Sequence, residues 1–143
     1  MDLQAWMRNY LIKFPVLKQF IKFCVVGGIA ALINFGVLYS FTEWLGIWYL
    51  TSAILGFLIS VVFNFSANKF WTFRNSLKGK DAFGQMGKFS IVMLTGLTIN
   101  TLIIYGLTEH FLLDYRLSWL FATGVVTFWN FIFNRLWTFK KNF

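Results

Sequence analysis

The chain has 143 residues, of which 58% are hydrophobic, 22% aromatic and only 13% charged, with a net charge of +8. A soluble domain carries roughly 25% charged residues, so this chain has too few charged groups to cover a water-soluble surface. One cysteine and one histidine exclude an internal disulfide and metal sites built on several such ligands. The composition predicts an all-α integral membrane protein, for which we expect no catalytic residues, metal or cofactor.

The first element in chain order is an amphipathic segment over residues 1–18. Apolar side chains recur at helical spacing, and most polar ones fall on the other face; the apolar set is Leu3, Trp6, Met7, Tyr10, Leu11 and Phe14. This pattern predicts an interfacial helix lying on the inner leaflet, with a partner-binding helix as the alternative. The segment lacks the continuous apolar core of a signal peptide, and Pro15 marks its boundary with the first span.

Four apolar runs follow, at residues 23–42, 49–68, 89–108 and 117–134. Each is close to the roughly 20 residues that a helix needs to cross a membrane. Only a few residues join the first run to the second and the third to the fourth, which predicts two helical hairpins. The polar stretch 74–81 is the linker between them.

The charges are distributed unequally between the two sides of these spans. Twelve basic residues lie on the side of the spans that holds the N-terminus, the linker and the C-terminus, whereas Arg116 is the one basic residue on the side of the two hairpin loops. The positive-inside rule therefore predicts that both termini are cytoplasmic. Because the basic residues flank apolar spans, they indicate a membrane surface, and we expect no nucleic-acid partner.

An internal repeat becomes visible when the sequence is shifted by 66 residues against itself. Segment 19–73 then aligns without a gap to 85–139, and 17 of 55 positions are identical, against roughly 4 expected by chance. The sequence predicts one membrane domain over 19–143, built from two parallel two-helix repeats over 19–74 and 85–140.

The repeats place polar residues at matching depths. An amide lies near mid-membrane in each repeat, and an amide pair followed by a cation closes its second span. A lysine and a glutamate mark the two ends of its first span. The candidate site residues are Asn34, Asn100, Asn64, Asn68, Asn130, Asn134, Lys69, Arg135, Lys22, Lys88, Glu43 and Glu109. Polar groups are costly in lipid and commonly line an interior, so we expect the repeats to pack around a shared polar interior. The alternative is structural: amides join helices, and lysines and tryptophans anchor span ends.

Several motifs match a known family. Segment 20–28, followed by Asn34-Phe35-Gly36, resembles the start of the GtrA-like family, and the endings 64–73 and 130–139 resemble its two span-end signatures. The likeness covers nearly all of the chain after residue 18. One departure is Asn34, at a position where this family often has aspartate. Without a midplane carboxylate, a proton-coupled small-molecule exporter ranks low among the alternatives.

The resemblance implies a protein of the bacterial cell (inner or plasma) membrane that moves polyprenyl-phosphate-linked sugars, such as undecaprenyl-phosphate glucose, to the outer leaflet. The pathway would be glycosylation of cell-surface polysaccharide or teichoic acid. Under this hypothesis Lys69 and Arg135 contact the phosphate, the asparagines bind the sugar, and Glu43 and Glu109 accept its hydroxyls at the exit. The expected partners are this lipid-linked sugar, membrane lipid, a membrane glycosyltransferase and a second copy in a homodimer. The alternative is a non-transporting partner that positions or stabilises such a glycosyltransferase.

Overall fold

The computed structural model describes residues 2–140, except for the side chains of Tyr10 and Leu11. These two side chains, predicted for the apolar face of the first helix, and Lys141, counted among the basic residues, lie outside the described part. Residues 2–140 contain only helices and the turns that connect them. They divide into two compact units, Met1–Ser76 and Leu77–Phe143.

The first unit is a helical hairpin preceded by a short helix. Its elements are α1 (Leu3–Lys13), α2 (Pro15–Glu43) and α3 (Tyr49–Ala67). Pro15 is the first residue of α2, where its missing N–H costs nothing. The predicted helix over 1–18 is therefore shorter, since residues 15–18 already belong to α2. That α1 lies in the membrane interface stays a prediction.

The second unit is a hairpin of α4 (Lys80–Glu109) and α5 (Tyr115–Phe133). Gly79 precedes α4 with a φ of 63°, a left-handed conformation that glycine adopts without steric cost. The Asp114 side chain accepts a hydrogen bond from the backbone N–H of Arg116 at 2.8 Å and caps the start of α5. A glycine before α4 and a capping aspartate before α5 thus define where these two helices begin.

Each hairpin ends in a π-helical turn, which the sequence analysis did not predict. The first π turn covers Asn68–Thr72 and the second covers Asn134–Thr138. The N–H of Phe73 donates to the Asn68 carbonyl at 2.9 Å, and the N–H of Phe139 donates to the Asn134 carbonyl at 2.8 Å. These bonds join residues five apart. Such turns are rare and occur frequently at functional sites.

Within residues 2–140, four helical segments are long and apolar enough to cross a membrane: Pro15–Glu43, Tyr49–Thr72, Lys80–Glu109 and Tyr115–Thr138. The predicted fold class, an all-α membrane protein, is confirmed. In the first unit α2 packs on α3, and in the second α4 packs on α5. The parallel relation of the two repeats and their shared interior concern both units together, and these stay predictions.

Candidate functional site

One face of α3 carries small and polar side chains at every fourth residue. All of them are buried in the first unit, whereas Leu58 and Val62 on other faces are exposed. We call this face the first interior stripe; it consists of Ser52, Gly56, Ser60, Asn64, Asn68 and Thr72. Residues four apart lie on neighbouring turns of one helix face. The stripe therefore runs along the span from the loop of the hairpin to its open end, where the chain enters and leaves.

The corresponding face of the second hairpin has the same spacing. Its second interior stripe consists of Ser118, Ala122, Val126, Asn130, Asn134 and Thr138. Val126 and Asn130 are half-buried, and the other four are buried. Both hairpins thus bury polar groups beside their apolar core and leave many large apolar side chains exposed, as expected when the surrounding solvent is lipid.

In each hairpin one predicted amide lies where the two helices approach each other closely: the midplane Asn34 in the first, and Asn130 of the span-end pair in the second. A Cβ atom added to Gly56 would stand 2.7 Å from Asn34 Oδ1 and 2.8 Å from the Asn34 carbonyl oxygen. In the second unit, a Cβ atom added to Gly96 would stand 2.5 Å from Asn130 Oδ1. Glycine therefore admits an amide at each of these two contacts. Asn100, the repeat partner of Asn34, is half-buried.

At the open end of the first hairpin, hydrogen bonds join several polar residues, although Asn68 Oδ1 and Thr72 Oγ1 are buried without a partner among the described residues. Asn68 is fully buried, and its Nδ2 donates to Asn64 Oδ1 at 2.6 Å and to the Asn64 carbonyl at 3.0 Å. Lys69 is only 2% exposed, and its Nζ donates to Asn75 Oδ1 at 2.9 Å. A buried ammonium needs such acceptors to offset its lost hydration. The structure thus brings Asn64 and Asn68 together and turns Lys69 inward.

Lysines and aromatic rings meet at both open ends. Lys22 Nζ lies 4.9 Å from the centre of the Trp71 ring and donates to the Trp71 carbonyl at 3.2 Å. Lys88 Nζ lies 5.6 Å from the centre of the Trp137 ring. Distances below about 6 Å allow a cation–π interaction. Both predicted lysines therefore contact the tryptophan of their own hairpin's span-end motif.

Several buried polar atoms at the open end of the second hairpin have no hydrogen-bond partner among the described residues. Asn134 is fully buried, yet neither its Nδ2 nor its Oδ1 has a hydrogen bond within the part of the chain that the structure describes. The buried atoms Asn130 Oδ1 and Thr138 Oγ1 lack one there too. Arg135, the repeat partner of Lys69, is half-buried. Buried polar groups are normally hydrogen-bonded, and each exception asks for an explanation.

At the loop ends, the hydroxyl groups without hydrogen bonds belong to the first hairpin and not to the second. Thr108 Oγ1 donates to Ser118 Oγ at 3.1 Å in the second hairpin, whereas the equivalent Thr42 and Ser52 hydroxyls of the first are buried without partners. Glu43 and Glu109 are exposed at these loop ends. Glu109 also lines a cavity of about 310 Å³ with Thr108.

These features can be compared with known proteins. The family described as "GtrA/DPMS, transmembrane domain" matches residues 22–139. The chain belongs to this GtrA/DPMS family. It is also similar to "Uncharacterized membrane protein YngA" of Bacillus subtilis (strain 168), with 31% identity over 131 residues, covering 89% of this chain and 86% of that protein. The resemblance inferred from the span-end motifs is confirmed.

The matched region of this GtrA/DPMS family member contains both interior stripes and both π turns. The chain is thus a multi-pass membrane protein of a family associated with the handling of lipid-linked sugars. Within the described residues, no group of three or more His, Cys, Asp or Glu side chains could hold a metal ion.

Several buried polar residues of this family member were not among the predicted site residues. They are Ser52, Ser60, Thr72, Asn75, Gln85, Ser118 and Thr138. A signal for most of them was present: Ser52/Ser118 and Thr72/Thr138 are identical between the repeats, and they continue the spacing of four from the asparagines. Gln85 lies outside that spacing but is identical to Gln19 of the first repeat, whereas Asn75 has neither signal, so the burial of Asn75 depends on the tertiary contacts alone.

Proposed function

We propose that this protein moves polyprenyl-phosphate-linked sugars, such as undecaprenyl-phosphate glucose, across the bacterial cell membrane for cell-surface polysaccharide or teichoic acid glycosylation. The observation that carries the proposal is the pair of interior stripes with unpartnered polar atoms. A sugar hydroxyl loses its hydrogen bonds to water when it enters lipid, and that loss costs several kcal/mol unless new partners are present. The first stripe offers such partners along most of its span, and the second offers them at its two ends.

The outer faces of the hairpins suit the rest of the substrate. Leu32 and Phe35 on α2, like Leu94 and Leu102 on α4, are strongly exposed and present apolar surface to lipid. A polyprenyl chain is as apolar as lipid tails, so it stays outside while the head group follows the polar stripe. Because only the head group needs a polar path while the tail stays in lipid, the protein needs no enclosed pore. Four helices would form such a pore poorly.

The charged residues fit the two ends of such a path. We propose that the open ends, with Lys22, Lys88, Lys69 and Arg135, face the cytoplasm and receive the phosphate. The loop ends, with Glu43 and Glu109, would face outward and accept sugar hydroxyls on exit. Arg135 is more accessible than Lys69, and its guanidinium suits two-point contact with a phosphate.

The test is a leaflet-resolved assay in liposomes that contain only this purified protein. A fluorescent polyprenyl-phospho-glucose is placed in one leaflet, and its arrival in the other is followed with a membrane-impermeant quencher. We expect transfer that depends on the amount of protein. Asn134→Leu should slow it about 2- to 10-fold, since it removes hydrogen bonds worth about 0.5–1.5 kcal/mol to the moving sugar.

The control is Thr98→Val, which removes an exposed hydroxyl on α4 that bonds only the Leu94 carbonyl of its own helix. It should transfer at the parent rate. No transfer by correctly folded parent protein would overturn the proposal. If the same protein then raised the activity of a co-reconstituted polyprenyl-phosphate glycosyltransferase, the role of a non-transporting partner would replace it.

A further inference from the structure

A separate basic cavity lies at the open end of the second hairpin. It has a volume of about 310 Å³, at the lower limit of typical ligand pockets, which is about 300 Å³. Three lysines line it, Lys80, Lys88 and Lys140, together with one carboxylate, Asp81. Of these lysines, only Lys88 was among the residues predicted from the sequence.

The ammonium groups of this cavity are available to a ligand. Within residues 2–140, none of the three lysines forms an ion pair or a hydrogen bond, and Lys88 contacts only the Trp137 ring. In the first hairpin the equivalent Lys22 instead donates to a backbone carbonyl. The repeat partners of Lys80 and Asp81 are Phe14 and Pro15, so that hairpin lacks the first of the three cations.

An unpartnered hydroxyl marks the floor of the same cavity. Thr138 lines it, is only 2% exposed, and its Oγ1 has no hydrogen bond. Lys80 and Asp81 are the first two residues of α4, and the unpaired N–H groups of a first helical turn favour a negative charge. Cations, a hydroxyl donor and a helix start therefore converge on one small volume.

We infer that this cavity is an anion site that takes a phosphate group. Lysines bind phosphate as point charges, and the Thr138 hydroxyl donates to a phosphate oxygen. The same chemistry is present in a lipid head group and in free phosphate. The further step, that the bound phosphate belongs to the polyprenyl-linked sugar and enters through the second hairpin, rests on the function proposed above.

Binding is tested on purified protein in nanodiscs of uncharged phosphatidylcholine, with undecaprenyl-phosphate glucose as the probe and native mass spectrometry as the readout. Lys80→Gln/Lys140→Gln should weaken binding about 10- to 100-fold, as expected for the loss of one or two charge-assisted contacts. Thr138→Val keeps the charge and nearly the volume, and it should weaken binding about 2- to 10-fold. Because the Thr138 hydroxyl has no partner in the protein, this variant should fold as the parent does.

Matched controls distinguish binding of the probe at this cavity from a general effect of the protein's basic charge. Lys13→Gln/Lys18→Gln removes two exposed cations from the first unit, and Thr98→Val removes an exposed hydroxyl. Both should bind the probe as the parent does. Equal affinity of the cavity variants and the parent would overturn the inference, as would an equal loss in the Lys13/Lys18 control.

Competition identifies the source of the anion. Displacement of the probe by phosphatidylglycerol but not by inorganic phosphate would support a lipid head-group site, and displacement by both would support a site for any phosphate. Displacement by neither would overturn the inference. The liposome assay separates this inference from the proposed function. If the protein binds the probe but does not transfer it, only the proposed function is wrong. If the cavity variants bind and transfer the probe as the parent does, only the site is wrong.

Discussion

Asn68 and Asn134 occupy equivalent positions in the repeats and are both fully buried, but their amide nitrogens differ in hydrogen bonding. Asn68 Nδ2 donates twice to Asn64, whereas the Asn134 side chain has no partner. A paired buried amide stabilises the fold, and an unpaired one has lost water without replacement. The Asn68 nitrogen therefore serves structure, although Asn68 Oδ1 also lacks a partner, whereas both polar atoms of the Asn134 amide are unpaired within residues 2–140.

This difference predicts unequal effects on stability. Asn68→Leu should lower the free energy of unfolding by about 1–3 kcal/mol, because Asn64 Oδ1 loses its donor inside the protein. Asn134→Leu should leave stability nearly unchanged or raise it, because no hydrogen bond is lost. Chemical denaturation in detergent micelles, followed by helical circular dichroism, measures both. Equal losses in the two variants would contradict this interpretation.

Lys69 supplies a second prediction at this scale. Its Nζ donates to Asn75 Oδ1 at 2.9 Å inside the first unit, so Asn75→Ala removes an acceptor from a buried ammonium. We expect a loss of about 1–3 kcal/mol in unfolding free energy, measured by the same denaturation. Asn75→Asp keeps an acceptor and should lose less, and Ser76→Ala, at an exposed neighbour, should change nothing. A stable Asn75→Ala variant would show that Lys69 does not depend on this contact.

At the scale of elements, each hairpin is built on close contact between an amide and a small residue. A Cβ on Gly56 would lie only 2.7 Å from Asn34 Oδ1 and 2.8 Å from the Asn34 carbonyl oxygen. The carbonyl oxygen belongs to the backbone, so it cannot rotate away. The π turns then widen the last turn of each second helix, with bonds between residues five apart. Together they keep the interior stripes against the facing helices from loop to open end.

Gly56→Ala tests this contact. The added methyl group should force α2 and α3 apart and lower the unfolding free energy by about 1–3 kcal/mol. The control is Gly36→Ala on α2, whose added Cβ meets nothing within 4 Å; it should be neutral or stabilising by up to about 1 kcal/mol, since alanine favours helix. Thermal unfolding of purified variants compares the two. Similar unfolding temperatures would refute a close helix approach at Gly56.

For the whole molecule, the orientation in the membrane can be measured directly. In a Cys24→Ser background, which copies Ser90 of the other repeat, single cysteines are placed by Leu45→Cys, Phe111→Cys and Lys78→Cys. All three positions are exposed. The positive-inside rule predicts that a membrane-impermeant maleimide labels the first two in intact cells and the third only after permeabilisation. Labelling of the third cysteine in intact cells would show that the topology is the reverse of the one predicted.

Much of the candidate site could be predicted from the residues themselves. The asparagine pairs, Lys22 and Lys88 were identified because duplication places the same polar residue twice in an apolar span. The burial of Lys69 was not predicted, since it depends on Asn75, a residue beyond the span that lies close only after the π turn forms. Lys80 and Lys140 were counted as topology signals, because linear position says nothing about a shared cavity.

The sequence by itself determined that the protein lies in a membrane, that its four long helices form two hairpins, and that it belongs to this family. Each of these follows from local quantities: apolar run length, the scarcity of charge, short loops and motif order. Only the tertiary structure decided which equivalent groups are paired and which are not, as at Asn68 and Asn134. Hydrogen bonds extend over about 3 Å, so that outcome depends on side-chain positions which repeat identity alone does not specify.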